Sequence, residues 1–283
     1  MLGERKEDVI LEAKNLYFSY EKDGQYSLSG LNMKIKRGRR TAIMGANGSG
    51  KSTFFLCCNG IHKPDKGEIW FAGKPVEYSK KGLSELRSRV GIVFQNPDNQ
   101  LFSASVRQEI SFGILNLGAS QETAGLEVDR VMEFLEITPF QDRPVHALSG
   151  GQKKQVAIAD ILVMHPDVII MDEPSAALDS KHTRQVNSIV DQMTEQGITV
   201  LMATHDMDYA FSWADEIVLL YEGRVLKQGS PEEVCQDHEA LKKTNLEKPM
   251  VMRVFEKLCS KGVLNTNEGV PHTIEELESR IGK

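Results

Sequence analysis

Cysteine is scarce in this 283-residue sequence, and its spacing argues against two kinds of structure. The four cysteines are Cys57, Cys58, Cys235 and Cys259. They include no CxxC pair and no Cys/His cluster with the spacing of metal ligands. The adjacent pair would point about 100° apart on a helix. We therefore expect buried free thiols in a reducing compartment, with neither a disulfide framework nor a structural metal.

Long apolar runs and an excess of basic residues are also absent. No run approaches the ~20 apolar residues that cross a bilayer, and the charged residues 1–8 lack the apolar segment of a signal peptide. The formal net charge is −6, so no overall basic field favours nucleic acid or anionic lipid. We expect a soluble cytoplasmic protein whose phosphate affinity is local and whose membrane role, if it has one, comes through a partner.

One stretch, residues 45–53, has a nucleotide-binding pattern and reads Gly-Ala-Asn-Gly-Ser-Gly-Lys-Ser-Thr. Two glycines bracket four residues and are followed by lysine and serine, as in a phosphate loop. An apolar run suited to a buried strand, residues 41–44, precedes the loop, and residues 54–58 can continue it as a helix. Strand, loop and helix are the context that the pattern requires. A chance match is expected in roughly one such sequence in a hundred.

The residue types explain how this loop would bind phosphate. Gly45, Gly48 and Gly50 have no Cβ atom, so the backbone can turn several N–H groups toward one anion. The helix that begins near Lys51 adds the positive end of its dipole. Lys51 would reach the β- and γ-phosphates, and the Ser52 hydroxyl would ligate Mg²⁺. The residues predicted to bind nucleotide here are Gly45, Ala46, Asn47, Gly48, Ser49, Gly50, Lys51, Ser52 and Thr53.

Polar side chains stand at the ends of three further apolar runs. Gln95 is at the end of the first run, Asp172 and Glu173 are at the end of the second, and His205 is at the end of the third. Ligands of parallel α/β sheets bind outside the carboxyl ends of the strands, which places these side chains on the phosphate side. Asp172 can hold Mg²⁺ through its waters, and Glu173 can accept a proton from the attacking water. The alternatives are a solvent-facing strand end for the glutamine, a helix cap for the acids and a structural role for the histidine.

Residues 96–165 have helical periodicity and are expected to form a helical insert in the sheet. Near its end, residues 148–152 read Leu-Ser-Gly-Gly-Gln and precede an amphipathic helix. Ser149 followed by two glycines at a helix N-terminus resembles a second phosphate-binding site. An ordinary N-cap explains the same pattern at least as well on physical grounds alone.

The length allows one large α/β domain and a smaller C-terminal unit. Antiparallel strands are expected ahead of the phosphate loop, the first running from Val9 to Tyr20, where it ends in an aromatic cluster of a kind that usually serves packing. After residue 235 the sequence becomes rich in lysine and glutamate. We expect a nucleotide-binding domain at 1–235 and a C-terminal extension at 236–283.

Six motifs in this order resemble those of the ATPase subunits of ATP-binding-cassette (ABC) transporters, over roughly residues 9–235. They are residues 45–53, Gln95, residues 148–152, Asp172 with Glu173, residues 175–179, and His205. Within that family, residues 95–102 and 249–262 look like those of energy-coupling-factor importers, and most like the cobalt-import ATP-binding subunit. Related subunits serve nickel and vitamin importers.

The resemblance implies an α/β P-loop NTPase fold with a mixed-sheet core. It adds an N-terminal antiparallel β subdomain, an inserted helical subdomain at about 96–165 and a small C-terminal extension. It also implies ATP and Mg²⁺ as cofactors and an ATPase activity coupled to transport. Partners would be an integral membrane coupling subunit and a substrate-binding membrane subunit, with no nucleic acid. The chain would then lie peripherally at the cytoplasmic face of the membrane.

The same resemblance implies a role for each matching residue. The catalytic group would comprise Glu173 as the base, His205 at the γ-phosphate, Gln95 in the water shell and in coupling, and Lys51 at the phosphates. The metal would be held by Ser52, Gln95 and Asp172.

Further matching residues imply that a second ATPase subunit, identical or paralogous, completes each site. Tyr20 would stack on adenine, and Asp179 would lie across the seam between the two subunits. The nucleotide of the opposing subunit would be capped by Ser149, Gly150, Gly151 and Gln152.

Two residues depart from the family pattern. Gln155 stands where relatives usually carry arginine, and Asp160 stands where a small residue is common. We expect the helix after the Leu-Ser-Gly-Gly-Gln motif to be retained, with its charge pairing and the strength of subunit closure altered.

Two other function classes compete with a transport ATPase. Chromosome-type relatives need a long heptad region between the phosphate loop and the Leu-Ser-Gly-Gly-Gln motif, whereas Lys51 and Ser149 lie 98 positions apart without sustained heptads. Ribosome-type relatives usually carry two cassettes in one chain. A regulatory cassette without turnover is the third possibility, against which the intact Glu173 and His205 argue.

Overall fold

The structure is a computed structural model that describes residues 8–21, 24–176 and 178–281. Three sequence predictions fall partly outside these residues: the turn after the first strand at residues 22 and 23, the motif 175–179 at Ala177, and the two ends of the chain.

Two sheets form the framework of the described residues. One is antiparallel with the order β2-β1-β4-β5, and the other has the order β10-β9-β3-β8-β7-β6. Neighbours from β9 to β6 pair in parallel, and β10 pairs antiparallel with β9 at one edge. The strands are β1 (Val9–Phe18), β2 (Leu28–Lys36), β3 (Arg40–Met44), β4 (Lys66–Phe71), β5 (Lys74–Pro75), β6 (Val90–Val93), β7 (Val168–Asp172), β8 (Thr199–Ala203), β9 (Glu216–Tyr221) and β10 (Arg224–Gly229).

Helices connect most of these strands. They are α1 (Lys51–Cys58), α2 (Lys80–Arg89), α3 (Val106–Asn116), α4 (Gln121–Phe134), α5 (Gly150–Leu162), α6 (Ser180–Glu195), α7 (Met207–Trp213), α8 (Pro231–Cys235), α9 (His238–Lys243), α10 (Met250–Ser260) and α11 (Ile274–Ile281). None of the helices in the described part of the chain has the length and apolar character needed to cross a bilayer.

The six-stranded sheet separates two hydrophobic cores. Successive residues of a strand face opposite sides of its sheet, so Met44 of β3 packs with the helices α3–α7 while Ile43 packs with α1 and the antiparallel sheet. Both faces of the central strands are therefore buried, which explains their continuous apolar runs. The expected α/β fold with a mixed-sheet core and an antiparallel N-terminal sheet is confirmed.

The C-terminal helices share the first of these cores. Met252 and Phe255 of α10 and Leu277 of α11 are buried in the same cluster as Phe211 of α7. Burial of several large apolar side chains stabilises such a contact by about 1.5–3 kcal/mol for each side chain. The described C-terminal segment, residues 236–281, is thus packed against the nucleotide-binding fold through α7.

Candidate functional site

The loop after β3 has a backbone that only glycine fits at two positions. Gly45 has a φ angle of 146°, and a Cβ atom there would lie 2.3 Å from the carbonyl oxygen of Leu220. Gly50 has a φ angle of 104°, and its Cβ would lie 2.8 Å from the carbonyl oxygen of Ser27. Side chains are excluded at both points by strain and by contact with neighbouring backbone. The loop is consequently tight and presents its amides at the start of α1.

The N-terminus of α1 has no side-chain cap among the described residues. Gly50 is its N-cap, and the first turn, which begins at Lys51, contains no acidic residue. The N–H groups at a helix start carry partial positive charge. The positive end of this helix is therefore available to an anion.

Lys51 is buried beside this N-terminus. Its Nζ donates to the carbonyl oxygens of Gly45 at 2.7 Å and Ala46 at 3.2 Å. Burial lowers the pKa of Lys51, while the charges of Glu173 and Asp172 act in the opposite direction. The ammonium group is thus held by the loop itself, at the place where a phosphate oxygen would be a stronger partner.

Ser52 and Asp172 bring two oxygen ligands together from α1 and β7. The Ser52 hydroxyl donates to Asp172 Oδ2 at 2.7 Å. Burial raises the pKa of Asp172, and the neighbouring charge of Glu173 raises it further, against the lowering effect of the Ser52 hydrogen bond and of two lysines. A hydroxyl and a carboxylate are hard oxygen ligands of the kind that Mg²⁺ prefers, so these residues fit the metal that the sequence predicts.

Glu173 joins the ends of three strands. Its Oε2 accepts a hydrogen bond from Gln95 Nε2 at 2.8 Å, and its Oε1 contacts His205 Nε2. Its backbone N–H donates to the carbonyl of Ala203 at 3.1 Å, and its φ angle is 45°. A non-glycine residue with positive φ is strained by about 1–3 kcal/mol and persists where surrounding contacts fix it. Here the contacts fix a carboxylate beside the phosphate loop.

These side chains line one open cleft of about 480 Å³ at the carboxyl edge of the parallel strands. All of its lining residues belong to the predicted site. They are Asn47, Gly48, Ser49, Lys51, Ser52, Gln95, Asp172, Glu173 and His205.

Tyr20 lies outside this cleft but close to α1. The first strand ends at Phe18, so the expectation that it runs on to Tyr20 is wrong, and Tyr20 lies in the following loop. Its ring is 60% exposed, and its hydroxyl lies 3.1 Å from Thr53 Oγ1. The ring meets Phe18 and His62 edge-on, with centroids 5.1 and 5.3 Å apart. The exposed face can stack on a planar ligand beside the phosphate loop.

The Leu-Ser-Gly-Gly-Gln motif forms a capped helix start and does not line the cleft. Ser149 Oγ accepts from the Gln152 N–H at 3.3 Å, and Gln152 Oε1 accepts from the Ser149 N–H at 3.1 Å. This reciprocal pair is a capping box, so the N-cap alternative holds within this chain. Gly151 packs against His182, whose ring would lie 2.2 Å from a Cβ atom, while Gly150 is exposed.

Asp179 also caps a helix. Its Oδ1 accepts from the backbone N–H groups of Lys181 and His182, and lies 2.9 Å from His182 Nδ1. These hydrogen bonds from His182 and Lys181 lower the pKa of Asp179. It does not line the cleft either, so the structure groups one set of predicted residues in the cleft and leaves a second set elsewhere on the surface.

Lys154 is a residue that the sequence analysis missed. It is buried on α5, and its Nζ donates to the carbonyl oxygens of Phe94 at 2.9 Å and Gln95 at 2.8 Å. Burial lowers the pKa of Lys154 to about 8. The available signal was its position one turn before Ala157 and Ile158, on the apolar face of the helix. Lys154 thereby connects the Leu-Ser-Gly-Gly-Gln helix to the segment that presents Gln95.

The two departures from the family pattern occupy different surroundings. Gln155 is buried and donates from Nε2 to the carbonyl of Leu135 at 3.0 Å. Burial raises the pKa of Asp160 well above its ordinary value, and the charge of Glu109 adds to this shift. The helix α5 is retained, as expected. The uncharged Gln155 side chain bonds to a backbone carbonyl, that of Leu135.

Comparison with known proteins agrees with this geometry. Residues 28–176 match the family model described as ABC transporter. The chain is 43% identical over 262 residues to the energy-coupling factor transporter ATP-binding protein EcfA of Methanocaldococcus jannaschii, which covers 93% of this chain and 91% of that relative. It is 44% identical over 278 residues to EcfA3 of Clostridium perfringens, with 98% and 94% covered.

Solved structures show the same likeness. The structure of cbiO1 from Clostridium perfringens, part of the ABC transporter complex cbiONQ, has a TM-score of 0.75 and 46% identity, covering 88% of this chain and 100% of that one. The dimeric, post-hydrolysis structure of the ATP-binding cassette MJ0796, bound to ADP and Pi, has a TM-score of 0.72 and 28% identity, covering 78% and 99%.

The fold and the cleft define an ATP-hydrolysing cassette, and the chain belongs to the ABC transporter family. Its likeness extends over nearly the whole length of the energy-coupling-factor subunits. More particularly, the chain is an ATPase subunit of the energy-coupling-factor type, similar to cbiO1.

Proposed function

We propose that this chain pairs with a second ATPase subunit around two ATP molecules and thereby drives the uptake of a small solute, which we assign as cobalt ion, with nickel or a vitamin as the alternative. The observation that carries the proposal is the convergence of Gln95, Glu173 and His205 beside the phosphate loop. A carboxylate, an amide and an imidazole in contact beside a phosphate loop are groups that could act on a terminal phosphate and its attacking water, which supports the proposal.

In this proposal the loop binds the triphosphate and Glu173 activates water. The N–H groups of residues 45–50 and the Lys51 ammonium would bind phosphate oxygens, while His205 contacts the γ-phosphate. Ser52, Asp172 and Gln95 would hold Mg²⁺, which when bound would supply positive charge close to the phosphate oxygens. Glu173 exchanges its present bonds with Gln95 and His205 for one to the attacking water and accepts its proton.

The separation of the predicted residues into two sets supports a composite site. Ser149 and Gly150 are exposed at the start of α5, and neither lines the cleft. The capping box uses the N–H groups of Ser149 and Gln152, and the positive end of the helix dipole can still bind the γ-phosphate of a nucleotide held by another subunit. Asp179, exposed at the start of α6, would lie across the same seam. Tyr20, which is exposed beside α1, would stack on the adenine of the nucleotide bound to its own chain.

A groove lined in part by Phe94, the residue before Gln95, suits a membrane partner. It has a volume of about 230 Å³ and includes the exposed rings Phe102 and Phe112, which meet edge-on with centroids 5.0 Å apart. Large exposed apolar side chains mark interaction sites. Lys154 ties the adjacent segment to α5, so movement of α5 during closure would reach this groove. An integral membrane coupling subunit would dock there, together with a substrate-binding membrane subunit, which places the chain peripherally at the cytoplasmic face.

The transported solute is tested by uptake. We expect the chain to copurify from membranes with the coupling and substrate-binding subunits, and its loss to reduce cobalt uptake with nickel and vitamin uptake unchanged. A selective loss of nickel or vitamin uptake would assign the alternative solutes, and unchanged uptake of all three would contradict the import role. The Lys51→Ala chain, produced at the same level, is the matched control that separates ATP dependence from assembly.

A further inference from the structure

The helix that follows His205 is held at both ends by the C-terminal segment. The helix α7 follows His205. Its N-cap is Asp206, whose Oδ1 accepts the Tyr209 N–H at 2.9 Å. The Asp206 N–H in turn donates to Thr204 Oγ1 at 3.1 Å. Because His205 lies between Thr204 and the N-cap Asp206, which are joined by this bond, the position of its side chain depends on the position of the first turn of α7.

The first of the two attachments is at the start of α7. Asp208 is exposed, and its Oδ1 accepts the backbone N–H of Met250 at 2.5 Å. Met250 begins α10, whose N-cap is Pro249 and provides no side-chain acceptor. Asp208 therefore supplies the missing acceptor from another element, and this charge-assisted bond joins α7 to the C-terminal segment.

The second attachment is at the far end of α7. The ring of His272 stacks on Phe211 with centroids 4.7 Å apart and an interplanar angle of 21°. Its Nδ1 lies 3.1 Å from the Phe211 carbonyl oxygen, and its Nε2 lies 2.5 Å from Glu232 Oε1. The His272 backbone N–H also donates to Glu276 Oε2 at 2.7 Å. His272 thus joins α7, α8 and α11, and both of its ring nitrogens face acceptors.

We propose that Asp208 and His272 are positioning residues for ATP hydrolysis, because they hold α7 and thereby keep His205 beside Glu173. The C-terminal segment then acts on the reaction through α7, without contacting nucleotide. Any partner that draws this segment away would loosen His205 and slow turnover. The inference rests on the proposed role of His205, and the experiment below separates the two.

The test compares ATP hydrolysis by variants of the full-length chain. For Asp208→Ala and His272→Ala we expect a reduction of kcat by roughly twofold to thirtyfold, with KM and the affinity for ATP unchanged. Asp208→Asn keeps an acceptor oxygen and should retain the wild-type rate. Arg253→Ala, which removes only an exposed ion pair with Glu247 inside the C-terminal segment, is the control and should also behave as wild type.

Hydrogen exchange supplies a readout that general loss of stability does not reproduce. Amides of residues 204–214 should exchange faster in His272→Ala, while those of β7 keep the wild-type rate. A wild-type kcat in both alanine variants, or faster exchange spread equally over β7, overturns the inference. If His205→Ala itself hydrolyses ATP at the wild-type rate, the proposed role of His205 has failed; if only that variant is impaired, this inference alone has failed.

Discussion

At the scale of single residues, the side chains proposed to act on ATP and Mg²⁺ are bonded to other protein groups in this structure. Lys51 donates to two loop carbonyls, Ser52 donates to Asp172, and Glu173 bonds to both Gln95 and His205. The Lys51 ammonium is buried, where an unpaired polar group would be costly, whereas Ser52, Gln95 and His205 are exposed. ATP and Mg²⁺ would replace these partners with more strongly charged ones, so binding reorganises side chains that are already in place.

Replacement of Lys51 tests the phosphate loop directly. Lys51→Ala removes the buried ammonium, and charge-assisted hydrogen bonds contribute about 1.5–3 kcal/mol each. We therefore expect the dissociation constant for ATP to rise by at least about tenfold, measured by calorimetry. Lys74→Ala, at an exposed lysine of β5, should bind as wild type. An unchanged affinity in Lys51→Ala would contradict the assignment of the loop.

At the scale of elements, sequence patterns predicted the strands and the phosphate loop because local residue types determine them. The positive φ angles at Gly45 and Gly50 require glycine, and burial on both faces requires the apolar runs of β7 and β8. Contacts between elements could not be predicted from local residue types. Lys154 is one residue in a helical pattern, and nothing in its spacing reveals that it reaches the carbonyls of Phe94 and Gln95.

The buried Lys154 should give stability a distinctive pH dependence. Its pKa is about 8 in the folded chain against an ordinary value of 10.5. Between these values the unfolded chain binds the proton and the folded chain does not, so this residue's contribution to the unfolding free energy increases as pH rises. Below about pH 8 both states are protonated and the contribution is constant.

Denaturant unfolding of wild type and Lys154→Met at several pH values measures this effect. The unfolding free energy of wild type relative to the variant should increase from pH 8 to pH 10, by at most about 3 kcal/mol. Lys153→Met serves as the control, since Lys153 pairs with the exposed Asp98. A difference between wild type and Lys154→Met that stays constant over this range would show that Lys154 is not desolvated in solution.

At the scale of the whole molecule, the α/β fold followed from the alternation of buried strands and helices. The attachment of the C-terminal segment to α7 did not, because it depends on two contacts distant in sequence, Asp208 with Met250 and Phe211 with His272. The residues proposed to act on the nucleotide of a second subunit were named from their motifs. Their geometry toward that nucleotide would form only in the proposed assembly of two chains.

Gly150 allows a test of that assembly without disturbing the chain itself. Among the described residues, the nearest atom to a Cβ at this position is Leu178 Cδ2 at 4.0 Å, which leaves room for Gly150→Glu within the subunit. The added negative charge would face the opposing γ-phosphate, and like charges repel. We expect unchanged ATP affinity and melting temperature but loss of ATP-dependent dimerisation, measured by analytical ultracentrifugation. Gly125→Glu, on α4, is the matched control, since no atom of the part of the chain that the structure describes lies within 4 Å of a Cβ there. Equal loss of dimerisation in both variants would argue against a composite site.

The most direct test of the account is the fate of ATP bound to Glu173→Gln in a single turnover. The substitution keeps the size of the side chain and removes the base, which contributes about 10²–10⁴ in rate. We predict that the variant binds ATP with wild-type affinity and retains it unhydrolysed, whereas the wild-type chain converts it to ADP and phosphate. Formation of ADP by the variant at the wild-type rate would contradict the assignment of Glu173 and, with it, the proposed mechanism.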